Sequence, residues 1–99
     1  MAHQVVLTWA LPDDATAVST YNVYRAAGLC PATGLGTATY TKLNAVPITG
    51  LTYTDTTVKV GGQYCYYGTQ VQNGIESVPS NTGGGTVTPH TIIIQLVVS

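Results

Sequence analysis

Short segments in which apolar and polar residues alternate recur along the chain, and this repetition constrains the fold more than any other feature. In "QVVLTW", Val5, Leu7 and Trp9 alternate with smaller or more polar residues, as in a strand with one buried face. Further segments of this kind are "YNVYRA", "TYTKLN", "LTYTDTTV" and "QYCYYGTQVQ". No segment keeps a helical period. Strands that recur every 8–12 residues or so predict an all-β sandwich.

The connections between these segments carry typical turn residues. Asn73-Gly74 follows "QYCYYGTQVQ" directly and predicts a tight hairpin. Lys42 in "TYTKLN" is typical of a short edge strand. The segment "IESVPSNTGGGTVTP" then returns as a strand, which we expect Pro79 and the three glycines to break.

The composition narrows the class of protein. The chain has 99 residues, enough for one domain, with 7% charged residues and a net charge of −1, whereas soluble domains average about 25% charged residues. No basic patch is available for nucleic acid. Abundant Thr and Tyr with little Lys favour an extracellular or cell-surface protein. The start "MAHQVVLTW" lacks the regions of a signal peptide, which leaves a removed leader or another export route.

The two cysteines, Cys30 and Cys65, form no CxxC pair and have no nearby His in the sequence. This argues against zinc and favours a disulfide, which implies an oxidising compartment. Two buried free thiols are the alternative.

The last ten residues, "HTIIIQLVVS", are apolar and rich in β-branched residues. They are too few to cross a bilayer, which takes about 20 residues, so we expect no membrane insertion. Their composition predicts a further strand.

The ordered motifs "VVLTW", "YNVYR", "YTKLN", "GLTYTDTTV", "GGQYCYY" and "NGIESVPSN" resemble a fibronectin type III domain of the kind found in bacterial secreted proteins. The resemblance runs from about Val5 to Asn81 and implies an immunoglobulin-like sandwich without catalytic residues. It places Cys65 on a strand beside the loop that carries Cys30. It also places Tyr64 at the tyrosine corner of that fold. The core residues that it implies are Trp9, Tyr21, Val23, Val58, Tyr64 and Tyr66.

The chain departs from that family in three ways. It begins almost at the family's second strand, it continues beyond the last one, and Gly68 and Gln70 occupy inward positions where apolar side chains are usual. We therefore divide it into a domain at residues 1–89, lacking a full first strand, and a C-terminal strand at residues 90–99.

The missing strand and the extra strand suggest a donated strand. We expect the joint Pro89-His90 to be too short to return the tail along its own domain, so that the tail completes the next subunit. The side chains that would enter the neighbour's core, where Gly68 would offer room, are Ile92, Ile94, Leu96 and Val98. Thr91, Ile93, Gln95 and Val97 would face outward. Such a head-to-tail contact builds a filament from copies of one chain. The alternatives are an extension folded on its own domain and a remnant of an inter-domain segment.

Other groups were weighed for chemistry. His3 and His90 lie near the two chain ends, and Asp13-Asp14 is an isolated acidic pair that usually marks a solvated loop rather than a Ca²⁺ site. Asp55 is expected to cap a turn. "GLGT" and "GGG" lack the strand–helix context of a phosphate loop. We therefore predict no enzyme activity, no metal and no cofactor.

Three tyrosines, Tyr24, Tyr40 and Tyr67, are expected on the outside of one sheet, where they would contact a polysaccharide, contact neighbouring subunits or pack on the sheet. The favoured function is a structural subunit of an extracellular filament. The alternatives are an accessory or adhesion module that binds polysaccharide or protein, and a virion fibre or decoration protein.

Overall fold

The computed structural model describes residues 4–10, 20–31, 39–72, 74–77, 80–89 and 91–97. Within these ranges the chain forms strands and no helix, and no segment of them could cross a membrane as a helix. The strands are β1 (Gln4–Ala10), β2 (Thr20–Ala27), β3 (Thr41–Lys42), β4 (Thr52–Asp55), β5 (Gln63–Gln72), β6 (Ile75–Glu76), β7 (Gly83–Thr86) and β8 (Thr91–Val97).

The strands form two sheets that pack as a sandwich. One sheet has the order β4-β1-β8, and the other has the order β3-β2-β5-β6, with β7 also pairing with β5. All pairs are antiparallel except β1 with β8, which is parallel. The predicted all-β sandwich is confirmed, and so is the strand in the tail.

The predicted strands form where the alternation is longest. In β1 the burial alternates residue by residue, with Val5, Leu7 and Trp9 inside. Strand β5 covers the whole of "QYCYYGTQVQ". Gln72 pairs with Ile75 in the β5–β6 hairpin, and Gly74 has a φ of 77°, which suits a tight turn. Asn73 lies outside the described residues.

The core lies between the sheets and includes most of the predicted residues. Tyr64 differs, because it is half-buried and packs against the core from the side. Gly68 and Gln70 face inward as expected, and both are buried. The buried apolar cluster consists of Val5, Leu7, Trp9, Tyr21, Val23, Val58, Tyr66, Val87, Ile94 and Leu96.

The expectation that the three glycines break the last strand was wrong. Gly83, Gly84 and Gly85 are the first three residues of β7, which pairs with the start of β5. Pairing between strands uses only backbone groups, which glycine retains. Glycine can therefore occupy a strand despite its weak strand propensity where neighbouring side chains need the space. Between β6 and β7, Ser80 continues the pairing, since its N–H donates to Gly68 O and its Oγ accepts from Gly68 N, each at 2.8 Å. Pro79 lies outside the described residues.

Candidate functional site

The C-terminal strand β8 fills the edge position beside β1. The pairing spans the whole of β8, from Gln4 with Thr91 to Ala10 with Val97. Ile94 and Leu96 face inward and are 8% and 1% exposed, and Ile92 packs against the same core while half-buried. Burying Ile94 and Leu96 stabilises the fold by about 1.5–3 kcal/mol each.

The structure contradicts our expectation that the tail cannot reach its own domain. A tail that ran antiparallel to β1 would require the joint to span the domain. Because β8 instead runs parallel to β1, it begins beside Gln4, at the end of the sandwich that β7 reaches at Thr86. The chain then needs only to reverse its direction between β7 and β8.

The outer face of β8 is exposed, as predicted for Thr91, Ile93 and Gln95. Ile93 is 67% exposed, which is high for an isoleucine in the middle of a strand. The predicted assembly residue Val98 and the side chain of Val97 lie outside the described part of the chain.

Space for the inward side chains of β8 comes from Gly83, a residue that the sequence analysis did not identify. A Cβ atom on Gly83 would lie 2.6 Å from Ile94 Cγ2 and 3.3 Å from Leu96 Cδ2. Any side chain at position 83 would therefore push β8 away from β7. The run of three glycines was the available indication, but we had assigned the receiving role to Gly68.

Gly84, on the other side of β7, makes room for the disulfide. Cys30 and Cys65 are bonded with their Cα atoms 4.9 Å apart, so the predicted disulfide is confirmed. A Cβ atom on Gly84 would lie 3.0 Å from Cys30 Sγ and 2.2 Å from Tyr64 O. The bond thus holds the segment after β2 over β5, at a point where β7 can carry no side chain.

The opposite edge of the sandwich is joined by polar groups around Asp55, which is 3% exposed. Arg25 Nη1 on β2 lies 2.8 Å from Asp55 Oδ2 on β4, and the Tyr66 hydroxyl donates to the same oxygen at 2.8 Å. Thr57 donates to Asp55 Oδ1 through its N–H at 3.0 Å and its hydroxyl at 2.6 Å. The Thr57 N–H bond is the predicted turn cap, whereas the bonds that link the two sheets were not foreseen.

These hydrogen-bond partners determine the ionisation of Asp55 and Tyr66. Burial by itself would raise the pKa of Asp55, but hydrogen bonds from Thr57, Arg25 and Tyr66 outweigh it and hold the pKa below its ordinary value. Burial, together with the bond to Asp55, raises the pKa of Tyr66. Asp55 is therefore ionised at neutral pH, and its charge is fully paired.

Tyr64 has the contacts expected of a tyrosine corner. Its hydroxyl oxygen accepts a hydrogen bond from the Lys59 N–H at 3.1 Å, and the Arg25 guanidinium carbon lies 5.0 Å from its ring centroid. Val58, the residue before Lys59, is buried as predicted. This corner supports the edge of the core, beside the ion pair.

The three tyrosines predicted on the outside of one sheet, Tyr24, Tyr40 and Tyr67, contact one another. Tyr24 and Tyr67 are stacked with centroids 4.6 Å apart, and Tyr40 meets Tyr67 edge-on at 5.0 Å. The Tyr24 hydroxyl donates to the Glu76 carboxylate at 2.5 Å, and burial together with this bond raises the pKa of Tyr24 to about 12. The stacking covers one face of Tyr24 and one of Tyr67, which reduces the aromatic area open to a sugar.

Among the described residues, no three side chains of His, Cys, Asp or Glu approach closely enough to hold a metal ion. The residues weighed for metal or general chemistry at His3, His90 and Asp13-Asp14, and the segment "GLGT", lie outside the described part of the chain. Trp9 Nε1 is buried without a hydrogen-bond partner there. The Trp9 ring is instead held by apolar contacts, including Tyr21 with its centroid 5.7 Å away.

No protein-family model matches the chain, and no curated protein matches it. The geometry of β8 and its groove is therefore the main basis for a functional proposal.

Proposed function

We propose that this protein is a non-enzymatic structural subunit of an extracellular fibre, in which β8 of each subunit fills the groove beside β1 of the next. One observation carries this proposal. Strand β8, which supplies two buried core residues, Ile94 and Leu96, is joined to the rest of the sandwich only by the short connection between Thr86 and Thr91.

Strand exchange would preserve the contacts that β8 makes. The pairs with β1 and the contacts with Gly83 are the same whether the groove belongs to the same chain or to a neighbour. The two forms differ in the path of the connection between β7 and β8. Thr88 precedes Pro89, which biases its backbone to an extended conformation. The two forms also differ in their dependence on protein concentration, because a strand on the same chain has a high effective concentration. High protein concentration should therefore favour the exchanged form.

The finer fold proposal is a fibronectin type III-like sandwich in which β8 takes the place of the first strand. The Tyr64 corner with Lys59 and the division into β4-β1 and β3-β2-β5-β7 support it. The parallel direction of β8 is the main departure from that family.

The Cys30–Cys65 disulfide supports an oxidising location, as expected outside the cell. The sparse charges agree with that location. A virion fibre or decoration subunit would use the same strand exchange.

Cross-linking distinguishes exchange from a closed monomer. Thr8 and Gln95 are paired on β1 and β8, so the double variant Thr8→Cys/Gln95→Cys places two thiols side by side in either form. After concentration and treatment with a short bis-maleimide, an exchanged assembly should give a ladder of multimers on a denaturing gel and filaments in electron micrographs. A cross-linked monomer band without filaments would refute the proposal.

Matched controls separate assembly from chance cross-linking. Gln95→Cys alone should give no ladder, because Thr8 then offers no thiol. Ile94→Asp, which places a charge in the groove, should abolish filaments. Gln95→Glu on the exposed side of the same strand should leave them largely intact.

A second candidate function, binding of a polysaccharide, is favoured by the cluster of Tyr24, Tyr40 and Tyr67 beside Glu76. Aromatic rings with adjacent carboxylate and amide groups suit the apolar faces and hydroxyls of sugars. Affinity electrophoresis in gels that contain soluble polysaccharides tests this. Retardation that Tyr40→Ala weakens would support it, and unchanged mobility across a panel of polysaccharides would argue against it.

A further inference from the structure

Strand β8 leaves one edge of its sheet open. It ends the order β4-β1-β8, and within the described residues its only strand partner is β1. Its seven residues, "TIIIQLV", contain no charge, no proline and no glycine. Natural proteins usually protect such an edge with charges, prolines, bulges or short strands. The edge of β8 lacks all these sequence protections.

The other described edge strands differ from β8. Strand β3 has two residues, one of them Lys42, and β6 has two residues, one of them Glu76. Strand β4 has four residues, and β7 has four, of which three are glycines. Short or weak edges of this kind give little support to a further strand. An added strand therefore fits the edge of β8 best.

We propose that the open edge of β8 pairs antiparallel with β8 of a second copy, about a two-fold axis at Ile93. The pairing would join two three-stranded sheets into one of six strands. A two-fold contact of this kind closes on itself, so it brings two subunits side by side and leaves the head-to-tail contact free. It does not depend on strand exchange, because β8 presents the same edge whichever groove it fills.

The register follows from the exposed side chains. On the outer face, Ile93 would lie opposite the second copy's Ile93, and Thr91 opposite the second copy's Gln95. The two isoleucines, each 67% exposed in the single chain, would cover each other in the centre, with a hydroxyl and an amide on both sides. Direct cross-strand neighbours have Cβ atoms about 4.5–5.5 Å apart.

The occupant is a second copy because the edge is complementary to itself. The edge carries no charged side chain, so two copies meet there without electrostatic repulsion. An axis at Ile94 would instead oppose Ile93 with Gln95, leaving each isoleucine beside a polar group. The axis at Ile93 is thus the favoured one.

Cysteine cross-linking of the full chain tests the register. Ile93→Cys, oxidised under mild conditions, should give mainly disulfide-linked dimer on a non-reducing denaturing gel. Thr54→Cys, which is exposed on β4 of the same sheet, should remain monomeric. Gln95→Cys alone should also remain monomeric, whereas a mixture of Thr91→Cys and Gln95→Cys should form dimers. If Ile93→Cys cross-links no better than Thr54→Cys, the pairing is wrong.

Sedimentation velocity supplies a second readout that needs no new thiol. We expect the association constant of the dimer to fall at least tenfold in Ile93→Lys, with the melting temperature little changed because position 93 is exposed. An unchanged association constant would overturn the proposal. Its failure is distinguishable from that of strand exchange: a Thr8→Cys/Gln95→Cys ladder without Ile93→Cys dimers supports exchange alone, and dimers without the ladder support edge pairing alone.

Discussion

The two lateral edges of the sandwich are closed in different ways. At one edge, β4 and β2 are joined by the ion pair of Asp55 with Arg25, and Tyr66 also bonds Asp55 from β5. At the other edge, Ile94 and Leu96 of β8 fit over Gly83 of β7, a purely apolar contact. The first edge depends on side-chain atoms that must meet at hydrogen-bond distance, whereas the second depends on buried side-chain area together with the backbone pairing of β8 and β1.

This difference bears on which part of the molecule can be exchanged. The residues of the polar edge lie in the middle of the chain, on strands that are paired or followed by further structure. The apolar edge is formed by β8, whose only strand partner among the described residues is β1, so its departure would leave every other described strand pairing intact. Because burial has no directional requirement beyond shape, an identical strand from another chain would replace it fully.

The largest expected effect is deletion of residues 91–99. It removes Ile94 and Leu96 from the core and leaves the edge of β1 unpaired, so we expect a loss of about 3–6 kcal/mol from side-chain burial alone. Small domains are stable by only about 5–15 kcal/mol, so the truncated chain should be largely unfolded or aggregated in a urea titration followed by circular dichroism.

A synthetic peptide of residues 90–99 provides the matching control for the deletion. If the groove accepts a strand from outside, the peptide should restore a cooperative transition to the truncated chain. A truncated chain that melts within a few degrees of the intact protein would show that β8 is dispensable.

Removal of the disulfide by Cys30→Ser/Cys65→Ser should have the next largest effect. The bond closes a loop with a sequence separation of 35, for which the chain-entropy estimate is about 3–4 kcal/mol. The free energy of unfolding should fall by that amount. The apolar edge should be retained, so adding Ile94→Asp should still lower the free energy of unfolding of this variant. A variant as stable as the wild type would mean that the bond contributes little beyond local order.

Arg25→Met tests the polar edge, with an expected loss of about 3 kcal/mol at pH 7, because it leaves the buried Asp55 carboxylate without its cation. The pKa of Asp55 is lowered in the folded state. Its contribution to stability is therefore fully present above the unfolded pKa and is lost as the pH falls through the folded pKa.

Urea titrations between pH 2 and 7 measure this contribution. The wild type should lose stability on the acid side, and Arg25→Met should lose less, so that the two curves converge. The pKa of Glu76 is also lowered, mainly by hydrogen bonds from Thr69 and Tyr24. Glu76→Gln is therefore the control for acid effects outside the Asp55 pair. Parallel curves for wild type and Arg25→Met would show that Arg25 does not lower the pKa of Asp55.

The smallest expected effect is that of Gly83→Ala, about 1–3 kcal/mol, because the new Cβ would overlap Ile94 Cγ2. Gly85→Ala is the control, since nothing lies within 4 Å of a Cβ there. Because Ile94→Ala removes Cγ2, Gly83→Ala should cost less in an Ile94→Ala background than in the wild type. Equal effects of the two glycine substitutions would show that the fit of β8 over β7 is loose.

The sequence by itself predicted the strands β1, β2 and β5, the disulfide and most of the core. These depend on simple sequence information: the period of two along a strand, the turn residues between strands, and two cysteines, which allow a single pairing within the chain. Alternation indicated that Trp9 faces inward and that Tyr21 and Val23 share a face, whereas the inward position of Tyr66 was implied by the family resemblance. The tail was also recognisable as a strand, because β-branched residues dominate it.

Only the tertiary structure decided where the tail goes and what receives it. The direction of β8 depends on which end of the sandwich β7 reaches, and alternation along a strand is the same in either direction. The role of Gly83 depends on Ile94, and the role of Asp55 on Arg25 and Tyr66, across two sheets whose spacing no local pattern encodes. Contacts between residues distant in sequence are determined when the sheets pack, because only then do specific side chains compete for the same space.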